Sequence, residues 1–109
     1  MKIAYIAGPY RAPSEFYVLE NIRQAERVAL KYWQLGYAVI CPHKNTAFLG
    51  GACPDETWLN GDLEFVKRSD VIVMLPNWQQ SVGSRQEHVV TTKLGKQIIY
   101  EQANVPAQE

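Results

Sequence analysis

The chain has 109 residues, 47% of them hydrophobic and 20% charged, with eleven acidic and eleven basic side chains. That length supports one hydrophobic core and not two, so residues 1–109 are expected to form a single domain. A formal net charge of zero supplies no basic field for a nucleic-acid polymer and no cationic face for a membrane, and apolar runs of only about five residues fall far short of a bilayer span.

The segment Met1–Ala7 is too short for the apolar core of a signal peptide, and a cytoplasmic location is expected. Cys41 and Cys53 are the two cysteines, expected to stay reduced there. Together with His43 they lack the paired spacing of a structural zinc site, and neither a metal nor a cofactor is expected.

In chain order, Lys2–Ala7 is predicted as the first strand. Ser14 is positioned to cap a helix over Glu15–Leu35, because Val18, Ile22, Ala25, Val28/Ala29 and Tyr32/Trp33 recur at helical spacing. Gly36 stops that helix. Tyr37–Cys41 follows as a second strand, ended by Pro42. His43–Pro54, with Gly50-Gly51 at its centre, reads as a loop. Asp55 is placed to cap a second helix over Glu56–Lys67 that turns Trp58, Leu59, Leu63 and Val66 inward. Val71–Leu75 is the third strand, Gly83–Leu94 the third helix, and Lys96–Tyr100 the fourth strand. The polar tail from Gln102 is expected to fray or to dock on a neighbour.

Apolar strands without alternation, joined by helices, imply a parallel sheet covered on both faces. Right-handed crossovers then predict a small doubly wound α/β sandwich, Rossmann-like or flavodoxin-like, with four or five strands in the order 2-1-3-4. Strands 1 and 3 become neighbours whose connections leave in opposite directions. The crevice at their C-terminal ends is lined by Gly8–Arg11 and Asn77–Glu87.

The residues expected there carry several chemistries. Glu87, in the first turn of the third helix, gains from the positive helix end, which favours the ionised form. An ionised carboxylate without a paired histidine suits attack on an electrophilic carbon such as an anomeric centre; a dipole-stabilising surface glutamate is the bland reading. Ser81, Gly83 and Ser84 offer hydroxyls and free N–H groups to a phosphate or a sugar hydroxyl, or one serine is simply the helix cap. Asp62 can reach the crevice as a second carboxylate or remain a solvated helix charge. Asp70 lies at the wrong end of its strand for catalysis. Gly8-Pro9 makes a tight turn that presents Tyr10 for stacking or for hydrogen bonding to a carboxylate, and Arg11 for an anion. Trp78 offers a stacking surface at the other lip, or packs at an interface. His43 could line the pocket rim, but both it and His88 read as structural rather than catalytic.

In the order Ile6-Ala7-Gly8-Pro9-Tyr10-Arg11, Pro42-His43-Lys44-Asn45-Thr46, Asp62, Ser69-Asp70-Val71, Trp78 and Ser81-x-Gly83-x-x-x-Glu87, these elements resemble the nucleoside 2-deoxyribosyltransferase-like superfamily. The likeness runs from Lys2 to about Tyr100 and is similar also to the 2'-deoxynucleoside 5'-phosphate N-hydrolases, although Arg11–Ser14 lacks their glycine-rich loop. The resemblance implies N-glycosidic chemistry on a small-molecule nucleoside or nucleotide. It implies Glu87 as the nucleophile at the anomeric carbon, Tyr10 positioning that glutamate, and Asp62 assisting at the leaving base. Ser81 and Gly83 would contact the 5' side, with Arg11 placed to help. It also implies a homodimer or larger homo-oligomer. A nucleotide-sensing module with the same pocket and no turnover is the alternative from another class, and a scaffold used only for interaction is a third.

Overall fold

A computed structural model describes residues 1–103 of the chain. Strand β1 (Ile3–Ala7) leads through helix α1 (Glu15–Gln34) to β2 (Ala38–Ile40). Helices α2 (Pro42–Asn45) and α3 (Asp55–Arg68) precede β3 (Val71–Met74), and a 3-10 turn (Trp78–Gln80) and α4 (Val82–Lys93) precede β4 (Gln97–Tyr100). The four strands form one parallel sheet in the order β2-β1-β3-β4, which is the expected doubly wound α/β sandwich. Ala4 of β1 sits opposite Val39 on one side and Val71 on the other, so β1 is fully paired at the centre.

Side chains alternate across this sheet. Ala4, Ile6, Val71, Val73 and Leu75 pack on Ala25, Ala29 and Tyr32 of α1. Tyr5, Ala7, Ile72 and Met74 pack on the opposite face with Val66 of α3, flanked by Val90 of α4. All four residues of β3 are buried, as a strand covered on both faces requires.

The helix ends follow local chemistry. Ser14 Oγ accepts the N–H of Tyr17 at 3.3 Å and starts α1. Gly36 (φ +97) ends it: its N–H reaches the carbonyl of Trp33, and the N–H of Tyr37 reaches that of Tyr32. Gly95 (φ +66) ends α4 in the same way, through Thr92 and Thr91.

Three local expectations are corrected. Pro42, with φ suited to a first helical position, starts the short helix α2 where a loop was expected. Pro54, not Asp55, is the cap residue of α3: its backbone is still non-helical (ψ 148) and Asp55 is already the first helical residue, its carboxylate paired with Arg11. Of the α3 residues expected inward, only Val66 is fully buried; Trp58, Leu59 and Leu63 are half-buried. At the N-terminal edge of the sheet, Asp70 Oδ2 accepts the N–H of Ile3 at 2.7 Å, joining β1 to the start of β3. The expectation for the tail falls, from residue 104 onward, outside the described residues.

Candidate active site

A cleft of about 560 Å³ opens at the C-terminal ends of β1 and β3, where the sheet reverses its winding. Its floor is set by strand parity. Tyr5 shares the sheet face of Ala7 and therefore looks toward α3 and α4. Glu87, in the second turn of α4, is directed back at the sheet and is only 6% exposed. The Tyr5 hydroxyl donates a hydrogen bond to Glu87 Oε2. One turn further along α4, buried Thr91 donates from Oγ1 to the Glu87 carbonyl at 2.7 Å. Asp62, half-buried on α3, closes the third side of the cleft.

Burial dominates the electrostatics. It pushes the Glu87 carboxyl up to about 8; the hydrogen bond from Tyr5 pulls it down in part, and the neighbouring Asp62 charge raises it again. Burial likewise raises Asp62 to about 6. Tyr5 is held well above its ordinary range by burial and by Glu87. The expectation that a helix end would favour ionised Glu87 is therefore reversed. Val82 and not Gly83 opens α4, so Glu87 lies beyond the first turn, within which the helix-end field acts.

The rim of the cleft comes from loops. Ser81 caps α4, its Oγ accepting the Ser84 N–H at 3.2 Å. The N–H groups of Val82 and Gly83, first in the helix, have no acceptor within it. A Cβ on Gly83 would meet nothing nearer than Ser81 Oγ at 4.0 Å, so packing does not demand glycine there; its effect is bare backbone facing the cleft. At Gly8 packing does demand glycine, since a Cβ would fall 2.4 Å from the Leu75 side chain. Arg11 also lines the cleft, its Nη2 2.5 Å from Asp55 Oδ1, both side chains being more than two-thirds exposed.

Of the residues singled out in the sequence, Gly8, Tyr10, Arg11, Asp62, Ser81, Gly83 and Glu87 line this one cleft. Two are placed differently from expectation. Tyr10 forms part of the wall, but its hydroxyl accepts the Phe48 N–H at 2.6 Å; the tyrosine on Glu87 is Tyr5. Trp78 is not among the lining residues. Its ring lies flat on His88, with centroids 4.3 Å apart and planes 20° apart, because the 3-10 turn carries it over the outer part of α4.

Tyr5 and Trp58 line the cleft without having been placed there by the sequence reading, and His43, expected at most at its rim in a structural role, lines it as well. Tyr5 carried a signal: a hydroxyl within an otherwise aliphatic strand needs a buried partner. His43 is 4% exposed, with Nε2 donating toward the carbonyls of Gly8 and Pro9. Trp58, one turn before Asp62, has a buried indole N–H with no partner among the described residues. No three His, Cys, Asp or Glu side chains among those residues are grouped to hold a metal ion, and both cysteines are free and half-buried.

The fold is shared with enzymes of known structure. The chain superposes on a 2-desoxiribosyltransferase from Leishmania mexicana with a TM-score of 0.68 and 17% identity, covering 95% of this chain and 66% of that one. It superposes on a 2-deoxyribosyltransferase from the psychrotolerant bacterium Bacillus psychrosaccharolyticus with a TM-score of 0.69 and 19% identity, covering 96% and 77%. This chain thus spans just under two thirds of the length of the first. No curated protein matches the sequence. A family model described as a domain of unknown function, DUF4406, matches residues 2–100.

Proposed function

The chain belongs to the DUF4406 family, and we propose that it cleaves or transfers the N-glycosidic bond of a nucleoside or nucleoside 5'-monophosphate. The observation that carries this reading is a buried carboxyl, Glu87, hydrogen-bonded to Tyr5 beside a second raised carboxyl, Asp62, on the floor of a nucleoside-sized cleft. The shared fold with two deoxyribosyltransferases supports it.

In this reading Glu87 Oε attacks C1' of the sugar as the C1'–N bond breaks, and the bonding pair leaves on the base nitrogen. Between about pH 6 and about pH 8 the pair holds one proton, mainly on Glu87; the reacting form is the minor one in which that proton sits on Asp62, which delivers it to the base nitrogen. The resulting glycosyl ester is opened by water or by a second base attacking C1' while the Asp62 carboxylate takes the proton that the attacking group loses; the C1'–O bond breaks, Glu87 returns as carboxylate, and the anomeric configuration is retained. A carboxyl raised to about 8 is a strong nucleophile once ionised, and Tyr5 steadies the charge it bears before attack. The N–H groups of Val82 and Gly83 and the Ser81 hydroxyl hold the 5' side.

The test is incubation with a panel of nucleosides and nucleoside monophosphates, with and without a second free base, followed by chromatography. Base release or exchange is expected, and Glu87→Ala should abolish it while leaving the circular dichroism spectrum unchanged. Release at the wild-type rate by that variant refutes the nucleophile assignment. The raised Glu87 value also favours a second reading, a nucleotide-sensing module, since a protonated carboxyl binds a sugar hydroxyl without attacking it. A ligand-dependent rise in melting temperature with no free base would select that reading.

A further inference from the structure

We propose that His43 is a positioning residue of this site: a neutral imidazole whose Nε2–H clamps the turn after β1 and thereby holds the Tyr10 wall of the cleft in register with Glu87. The proposal rests on the nucleoside-site reading above.

The tautomer follows from the partners. Nε2 lies 3.1 Å from the Gly8 carbonyl oxygen and 3.0 Å from that of Pro9. Both are acceptors only, so Nε2 carries the proton and Nδ1 is bare. Nδ1 is buried without a partner among the described residues, and a second proton there would strand a donor away from water. Burial pushes the ring's basicity down, in the same direction.

The clamp acts where the backbone has least support of its own. The last ladder bond on this side is Leu75 N–H to the Ala7 carbonyl, at 2.8 Å. Beyond it Pro9 has no N–H to give. The next three carbonyls all accept from side chains: Gly8 and Pro9 from His43, and Tyr10 from Asn21 Nδ2 at 3.1 Å. Gly8 is pressed against Leu75, where even a Cβ would fall at 2.4 Å, so the turn has one tight seating. From it, the Tyr10 hydroxyl reaches the N–H of Phe48, the one non-glycine residue with positive φ among those described (φ 61). A left-handed conformation there is strained and persists only while its surroundings hold it. His43, the Gly8-Pro9 turn, Tyr10 and Phe48 thus form one connected strap across the cleft wall.

Three proteins test this: wild type, His43→Leu and His43→Gln, whose terminal amide N–H reaches the place of Nε2–H. With the 2'-deoxynucleoside that wild type cleaves fastest, and well below each melting temperature, His43→Leu should lower kcat by about 10- to 100-fold, the scale of a misplaced reacting group. His43→Gln should recover most of it. Nitrogen-15 NMR at pH 7 should show the Nε2–H tautomer, and the Phe48 amide should exchange faster in His43→Leu than in the other two. Unchanged kcat in folded His43→Leu, a proton on Nδ1, or equal Phe48 exchange in all three proteins would each overturn the proposal. Should His43→Leu not fold, His43→Asn, whose amide falls short of both carbonyls, takes its place. If wild type releases no base from any nucleoside, the nucleoside assignment fails separately, and the tautomer and the Phe48 exchange rate still decide the clamp.

Discussion

Replacing Glu87 by glutamine should alter how the stability of this protein depends on pH. Glu87 is 6% exposed and its carboxyl is raised to about 8 from an ordinary 4.5. Between those values the native state holds a proton that the unfolded chain has released. Stability from this group is therefore fully present below 4.5, is lost as pH rises to about 8, and is flat beyond. At about 1.36 kcal/mol for each pH unit of separation, the loss approaches 5 kcal/mol, a large fraction of the roughly 5–15 kcal/mol that holds a domain together. Glu87→Gln keeps the size of the side chain and an acceptor for the Tyr5 hydroxyl but does not ionise. Urea unfolding of both proteins at intervals from pH 5 to pH 9 isolates the effect, because most other titrating groups are common to the two and cancel. The variant should gain on wild type steadily with pH, by several kcal/mol at pH 9. A constant difference across the range would refute the claim that Glu87 is buried and proton-bound in the native state.

Three further outcomes are expected. Tyr5→Phe removes the hydrogen bond that lowers the Glu87 value, so the pH dependence of kcat/KM should move to higher pH and kcat should fall about 10-fold or more; an unmoved profile would separate Tyr5 from the chemistry. With Asp62 near 6 and Glu87 near 8, wild-type kcat/KM should trace a bell between those limbs, belonging to the pair as a unit. Asp62→Asn should turn that bell into a single rise with pH, at a midpoint below 8 because the neighbouring charge is gone, and a retained acidic-side maximum would exclude Asp62 as the proton donor. Gly8→Ala should destabilise by about 1–3 kcal/mol through overlap with buried Leu75, measured by the urea midpoint, whereas Gly83→Ala, with open space around its Cβ, should leave stability nearly unchanged.

Much of this molecule is legible in the amino-acid order because it depends on neighbours a few residues apart. Ser14 and Ser81 cap helices through their own side chains, Gly36 and Gly95 end helices by adopting positive φ, and the aliphatic run at Val71 makes a strand buried on both faces. From these, the strand order and the crevice between β1 and β3 follow by the handedness of parallel crossovers. The same reasoning assembled Gly8, Arg11, Asp62, Ser81, Gly83 and Glu87 along one cleft, since each lies at a strand end or on a helix flanking it.

What the tertiary structure alone decided are the contacts between residues distant in sequence. Which tyrosine meets Glu87 depends on the parity of a strand and the rotation of a helix 82 residues away, and these select Tyr5 over Tyr10. Whether Glu87 is charged depends on how much water the closed cleft excludes, and burial outweighs the helix end because Glu87 lies one turn too far along it. Trp78 leaves the cleft for His88 through a 3-10 turn that no periodicity announces. Local order wrote the scaffold and the roster of reactive groups; burial and pairing across the sheet, which act over distances in space rather than along the chain, set their protonation and their partners.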